Sequence, residues 1–264
     1  MKIILTVNAA WNIWNFRHPL VEALLEDGHR VTILAPRDDA VARLDEMGCV
    51  FRELDMDVKG INPIQDARLV LRFREIFRDL QPDRVLSFTI KNNLFGAMAA
   101  KSLGIPFIPN VTGLGTAFLS GALLERVANT LYRAAFRNLP VIFFQNEDDC
   151  SLFVRRKLVT IDQARRVPGS GIDLDRFAAA PFPGDTKAPI FLMIARLLRD
   201  KGVVEFVDAA RLVRARHPQV RFQLLGATSA ENRTAIDVET VKAWQTKGEI
   251  EYLGATNDVR PQIA

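Results

Sequence analysis

The sequence predicts an α/β protein made of two units, each a parallel sheet flanked by helices. Three observations carry that expectation. Short apolar runs alternate with longer amphipathic runs almost throughout the chain, the rhythm of strands joined by crossover helices. The rhythm breaks at Ala178–Pro189, where three prolines and a glycine fall within twelve residues, a composition that suits a linker. It restarts with the apolar run Ile190–Ile194. The expected division is residues 1–177, a linker at 178–189, and a shorter α/β piece at 190–264.

In the first unit the expected strands are Lys2–Val7, Arg30–Ala35, Val50–Leu54, Arg84–Phe88, Pro106–Pro109 and Val141–Phe144. Helical spacing lies between them: Leu20, Ala23 and Leu24 recur at i, i+3, i+4, and Leu69, Arg72 and Phe73 do so with a wetter face. Pro19 suits the first turn of its helix, and Gly28 and Gly104 suit helix ends just before a strand. The second unit has expected strands at Ile190–Ile194, Val220–Leu225 and Glu249–Leu253, with helices at Val203–Arg216 and Ile236–Lys247. A further helix opens at Asp258, as N-cap, with Pro261 in its first turn. No strand follows it, so the second sheet is expected to be incomplete within these 264 residues; the other reading is a terminal helix that caps the sheet.

Composition narrows the function classes. Hydrophobic content of 48% with 25% charged residues is ordinary for a globular protein. No apolar run reaches the roughly 18 residues of a membrane span, and the N-terminus begins as a strand and not as a signal peptide. Cys49 and Cys150 lie far apart and form no CxxC, which suits two buried thiols in a reducing cytoplasm. The net charge of +4 fits an acidic ligand or an anionic membrane surface; nucleic acid is not an expected partner.

Ligands of open parallel sheets bind beyond the carboxyl ends of the strands, and the unusual residues of this chain collect there. After the first strand come Asn8, Ala9, Ala10, Trp11, Asn12, Trp14, Asn15, Phe16, Arg17 and His18. Amides and flat rings suit sugar hydroxyls and pyranose faces, although each ring could equally pack in a core. After the fourth strand come Thr89, Lys91, Asn92 and Asn93, and after the fifth Asn110, Thr112, Gly113 and Gly115; the two glycines allow close backbone approach, or form a plain turn. In the second unit Arg196–Gly202, Gly226–Thr228 and Gly254–Asp258 hold the same place. The stretch Arg196-Leu197-Leu198-Arg199-Asp200-Lys201-Gly202 joins a strand to a helix start. Cations and free helix N–H groups together suit a diphosphate. Two such sheets suggest Rossmann-like domains facing across a cleft. No Gly-x-Gly-x-x-Gly and no Walker loop occur, and Ala35-Pro36-Arg37 stands where a dinucleotide site would place an acid, which disfavours an NAD-dependent oxidoreductase. Asp55-Met56-Asp57 and Asp173-Leu174-Asp175 are too common a spacing to mark a metal site, and none is expected. Of the histidines only His18 lies near the expected cleft, and it equally suits a helix start.

These segments resemble retaining family-four glycosyltransferases of GT-B architecture, closest to bacterial enzymes that add N-acetylhexosamine to a polyprenyl-diphosphate-linked sugar. The likeness runs essentially through the whole chain. It is carried by Asn8–Asn12 through Arg17, Pro109–Gly115, Val167–Asp173 and Arg196–Gly202. The resemblance implies a nucleotide-sugar donor, UDP-linked by preference, and a glycan or lipid-linked acceptor. It implies retention of configuration and no metal or other cofactor. By it Arg196 and Lys201 are catalytic and hold the donor diphosphate, with Ala9, Ala10, Gly171 and Gly226 also on the donor. Asn8, Trp11, Asn12, Asn15, Arg17, Lys91, Asn92, Thr112, Gly113 and Gly115 are implied on the acceptor. Gly171 and Asp173 are implied at the domain hinge. Two departures stand out. Many members carry a His where Val111-Thr112-Gly113 stands, and the resemblance puts the family's Glu-x7-Glu motif past residue 264, so the 264 residues alone are expected not to turn over. A sugar-nucleotide 2-epimerase and a non-catalytic nucleotide-sugar or lipid-diphosphate binding module are the competing readings. Finally, Phe118–Leu139 has helical apolar spacing with Arg126, Arg133 and Arg137 against Glu125; it suits the inner leaflet of a membrane or a crossover helix packed on the sheet.

Overall fold

The computed structural model describes residues 1–264 apart from 59, 61, 114–121, 182–187, 229–233, 257 and 264, and of residues 122–124 only the backbone. The chain divides into two units, Met1–Asp173 and Leu174–Ala264. Part of the expected linker, residues 182–187, lies outside the described residues.

Unit 1 is built on strands β1 (Lys2–Thr6), β2 (Arg30–Ala35), β3 (Val50–Glu53), β4 (Arg84–Phe88), β5 (Phe107–Val111), β6 (Ile142–Phe144) and β7 (Ala164–Arg166). They form one parallel sheet in the order β3-β2-β1-β4-β5-β6-β7. Its helices are α1 (Ala10–Phe16), α2 (His18–Glu26), α3 (Val41–Glu46), α4 (Pro63–Leu80), α5 (Ala97–Ser102), α6 (Ala122–Phe136) and α7 (Glu147–Arg155), with a π-turn at Asn92–Gly96 leading into α5.

Alternation along the strands builds a core on each face of this sheet. In β1, Ile3 and Leu5 face one way, towards Ile13 of α1, Val21 of α2 and Leu44 of α3. Ile4 faces the other, towards Phe73 and Phe77 of α4, Tyr132 and Phe136 of α6, and Phe153 of α7. Each such side chain contributes about 1.5–3 kcal/mol on burial, so the sheet is held from both sides. The caps agree with the sequence. Asn62 accepts the N–H groups of Ile64 (3.0 Å) and Gln65 (3.4 Å) at the start of α4, and Asn146 accepts that of Asp149 (2.7 Å) in α7. Gly28 and Gly104 have φ of 75° and 68° at helix ends, a left-handed conformation that glycine adopts without cost.

Three parts of unit 1 differ from expectation. The stretch after β1 is not an open loop: α1 begins at Ala10, because the Asp38 carboxylate accepts the Trp11 N–H (2.8 Å) and caps it from the next crossover. The stretch after β4 also turns helical almost at once. Strand β7, three residues of which two are arginines, carries no apolar run; its pairing with β6 defines it. Helix α6 takes the crossover alternative: Ala128, Tyr132, Ala135 and Phe136 are buried against the sheet. Arg126, Arg133 and Arg137 stay exposed, and Arg133 donates to the carbonyls of Arg156 and Lys157. Both cysteines are buried and unpaired. No helix among the described residues is long and apolar enough to cross a membrane.

Unit 2 has three parallel strands, β8 (Ile190–Ile194), β9 (Arg221–Leu225) and β10 (Glu251–Tyr252), ordered β10-β9-β8. Helices α8 (Val203–Arg214) and α9 (Val238–Thr246) cover it, with Val207, Leu224, Val241 and Trp244 in the core. Asp237 caps α9 through the Thr240 N–H (2.6 Å). A short α10 (Arg260–Ile263) follows, and Asp258 accepts the Arg260 N–H (3.1 Å) as expected of its cap. The amino end of the sheet is tied by ion pairs, Arg221 to Glu251 (2.6 Å) and Arg211 to Glu249 (2.8 Å).

Candidate active site

In unit 2 the expected site is the turn between β8 and α8. Two leucines fix it: Leu197 is fully buried and Leu198 is 3% exposed. The Leu197 N–H donates to the Ala227 carbonyl (3.2 Å), and the Leu197 carbonyl accepts from Ile236 (2.9 Å). A one-turn 3-10 helix, Arg199–Lys201, then delivers the chain to Gly202, which at φ 77° is the N-cap of α8. Anchoring the leucines inward leaves Arg196, Arg199 and Lys201 exposed. Among the described residues, none of these three side chains has a hydrogen-bond or ion-pair partner. Asp200, the acid between them, accepts the Thr234 hydroxyl (3.1 Å). The first turn of α8 carries no side-chain cap, so its N–H groups add a partial positive charge beside the cations. Exposed cations beside a helix start, with Arg199 also felt by the Asp237 carboxylate, can hold a diphosphate.

Gly226, implied as a donor contact, has a reason inside the protein. A Cβ there would stand 1.7 Å from the Ala195 carbonyl oxygen. The Gly226 N–H donates to the Gly254 carbonyl (2.8 Å), and its own carbonyl accepts the Tyr252 hydroxyl (2.9 Å). The ends of β8, β9 and β10 are thus laced together behind the turn. Glu231 and Glu239 also happen to show the Glu-x7-Glu spacing within the chain. Glu239 is exposed in the first turn of α9, and Glu231 lies outside the described residues.

In unit 1 the expected residues do gather at the carboxyl ends of β1, β4 and β5, but with unequal freedom. Asn8, Asn12 and Asn15 are half-buried around α1; Asn15 donates to the Trp11 carbonyl one turn back (2.9 Å). Trp11 and Phe16 are 49% and 45% exposed and meet edge to face at 5.6 Å, so two of the three rings present surface. Trp14 is engaged by His18 (4.8 Å) and Arg43 (5.4 Å), and His18 pairs with Glu22 (3.3 Å) as a helix-start residue. Ala9 is the extended N-cap of α1 and Ala10 is buried beneath it. Arg17 is 6% exposed, with its guanidinium carbon 4.5 Å from the centre of the Phe88 ring. Burial pushes that guanidinium down to about 10.

Beyond β4 the polar residues brace the sheet. Asn92 is fully buried; its amide donates to the Thr6 hydroxyl (2.8 Å) and accepts the Thr89 hydroxyl (2.9 Å). Thr89 itself has φ of 74°, an outlier for a β-branched residue, and the π-turn Asn92–Gly96 follows it. Lys91 is paired with Asp66 (2.8 Å). Together they line a cavity of about 270 Å³ in which Asp55 is in turn paired with Arg72 (2.7 Å). Asn93 donates to the Asn110 carbonyl (2.9 Å), and the side-chain oxygens of Asn93, Asn110 and Ser87 are buried without a hydrogen-bond partner among the described residues. Thr112 is exposed and Gly113 has φ of 148°; Gly115 lies outside the described residues. Gly171, in the last residues of unit 1, has φ of 76°, and a Cβ there would meet no described atom within 4 Å. Sequence reasoning placed Thr89 at this strand end but not its strain: nothing in its residue type signals a left-handed backbone.

Parallel α/β units of this kind are found in solved glycosyltransferases of GT-B fold. A UDP- and glucose-bound structure of Alr3699/HepE from Anabaena shares the fold with a TM-score of 0.71 at 16% identity, over all of this chain and 72% of that one. A glycosyltransferase from Rickettsia africae ESF-5 does so with a TM-score of 0.69 at 17% identity, over 99% and 70%. Residues 13–170 match the family described as glycosyl transferase 4-like domain, and the chain belongs to that family. It is also 27% identical, over 98% of its own length and 71% of the relative's, to N,N'-diacetylbacillosaminyl-diphospho-undecaprenol alpha-1,3-N-acetylgalactosaminyltransferase of Campylobacter jejuni subsp. jejuni serotype O:2.

Proposed function

We propose that this glycosyltransferase moves a hexose or N-acetylhexosamine from a nucleotide-sugar, UDP-linked by preference, to a polyprenyl-diphosphate-linked sugar. The transfer proceeds with retention and without a metal ion. The observation that carries the reading is the pair Arg196 and Lys201, exposed and without a partner among the described residues at the α8 start. Glycosyl transfer builds negative charge on the departing phosphate, and cations already in place lower that barrier without reorganisation. They also supply what a divalent metal would otherwise supply. The Campylobacter relative's lipid-linked acceptor supports the acceptor class, and the UDP bound to the Anabaena structure supports the carrier. Peripheral contact with the inner leaflet follows from such an acceptor. Because α6 turns its apolar face to the core, that contact rests on exposed cations such as Arg126 and Arg137 and is lost at high salt.

The test is transfer by a protein containing this chain, from a panel of UDP- and GDP-sugars to a short prenyl-diphosphate-sugar, with EDTA present. The expected result is metal-independent transfer with the donor's anomeric configuration kept. Isomerisation of the UDP-sugar without acceptor would replace this reading by an epimerase, and saturable binding with no transfer would replace it by a binding module.

A further inference from the structure

We infer that unit 2 carries a second ligand site, a cavity at the amino end of its sheet that takes a monosaccharide phosphate. The cavity measures about 320 Å³. It lies where Arg221 and Phe222 open β9 and where Glu251 and Tyr252 form β10, beside the last turns of α8 and α9. The Arg196–Gly202 turn follows β8 and so stands at the opposite, carboxyl end of the same sheet. Small-molecule pockets run from about 300 to 1,000 Å³. One at the lower end admits a single sugar ring with its phosphate, and not a nucleotide-sugar or a prenyl diphosphate.

Arg214 is the anion-binding group. It lines the cavity from the last residue of α8, and its Nη1 lies 4.0 Å from the place of a Cβ on Gly248, just past α9. Among the described residues its side chain has no hydrogen-bond or ion-pair partner, and its Nε is buried. The arginines beside it differ. Arg211 is paired with Glu249, and Arg221 with Glu251. Glu251 also feels the Arg214 charge, but it already accepts Nε and Nη2 of Arg221 (2.7 and 2.6 Å) and the Gln223 amide (3.0 Å). Nor does Arg214 cap a helix end. The Val213 carbonyl accepts the His217 N–H (2.8 Å), that of Trp244 accepts Glu249 (2.9 Å), and that of Gln245 accepts Gly248 (2.9 Å). Two guanidinium groups against one carboxylate leave the cavity wall with an excess positive charge, and the planar fork suits phosphate oxygens. The rest of the wall suits the sugar. Glu251 and the exposed Gln245 amide can meet hydroxyls. Phe222 and Tyr252 offer ring surface to a pyranose, and the Tyr252 ring is held by its hydroxyl bond to the Gly226 carbonyl (2.9 Å).

The test is calorimetry with glucose 1-phosphate as the probe. It uses Arg196→Ala/Lys201→Ala protein, so that the turn at the other end of the sheet does not compete. Saturable binding at one site is expected, with methyl glucoside and inorganic phosphate each weaker by about tenfold or more. Arg214→Met is expected to weaken glucose 1-phosphate about tenfold or more, and to fold normally, since the guanidinium donates to no described group. Gln245→Trp places a large ring at an exposed position of the wall and is expected to weaken binding alike, with Arg214 intact. Should Arg214→Met fail to fold, Gln245→Trp decides alone. Absence of saturation overturns the inference. Unchanged affinity in folded variants puts the anion elsewhere on the protein and overturns it too. Inorganic phosphate binding as tightly as glucose 1-phosphate would overturn the sugar part of the assignment. None of these readings needs turnover, so a failed titration and a failed transfer assay are separately visible.

Discussion

Arg196→Ala and Lys201→Ala are each expected to lower sugar transfer by about two to three orders of magnitude. Stability should change by no more than about 0.5 kcal/mol. The two halves of that expectation come from different parts of the same turn. Leu197 and Leu198 are buried and hold the backbone, so the fold does not depend on the cations. Arg196 and Lys201 are exposed and engage no described residue, so their removal frees no buried partner. By the proposed role, what is lost is charge complementary to the departing nucleotide phosphate. Single-turnover rates from a UDP-sugar, with melting curves on the same samples, separate the effects. Near-normal rates in both variants would remove these side chains from the chemistry, and an unfolded variant would contradict the leucine anchoring.

Gly226→Ala is expected to destabilise unit 2 by about 3–5 kcal/mol, the sum of backbone strain and overpacking. At φ 156° the position lies where side-chain-bearing residues rarely go, and its Cβ would stand 1.7 Å from the Ala195 oxygen and 2.8 Å from the Ala195 carbon. The obstacle is backbone, which cannot swing aside as a long side chain can. Relief requires β8 and β9 to separate at the end where Ala195 donates to the Leu225 carbonyl (3.0 Å). Hydrogen exchange of the β8 and β9 amides reads this unit by itself. A loss of protection below about 1 kcal/mol would show that the approach of Gly226 to Ala195 relaxes freely. Because that carbonyl leads directly into Arg196, a variant that survives folding is also expected to lose donor affinity.

The order of strands and helices was largely legible in the chain because parallel strands buried on both faces are written as near-continuous apolar runs. Arg30–Ala35, Arg84–Phe88 and Ile190–Ile194 stand at their expected bounds. The misses share a cause. Strand β7 has no apolar signal, since it exists by pairing with β6. Helix α1 was hidden in a run of amides and rings because its cap, Asp38, comes from a distant crossover. The site was legible as a set of regions and not as roles. Asn92 and Arg17 are polar residues of one stretch of strand ends, yet Asn92 is satisfied by Thr6 and Thr89 while Arg17 has no counter-ion among the described residues.

Periodicity, caps and punctuation along the chain determined by themselves that this is a parallel α/β protein, and the motif residues pointed to its glycosyltransferase class. Those signals are local: apolar spacing, a proline at a helix start and a glycine before a strand act within a few residues. The tertiary structure alone decided which polar groups are bound by the protein and which remain for a ligand. Burial and pairing depend on residues far apart in sequence. Thr6 meets Asn92, Asp66 meets Lys91, and the Arg17 guanidinium is seated on the Phe88 ring.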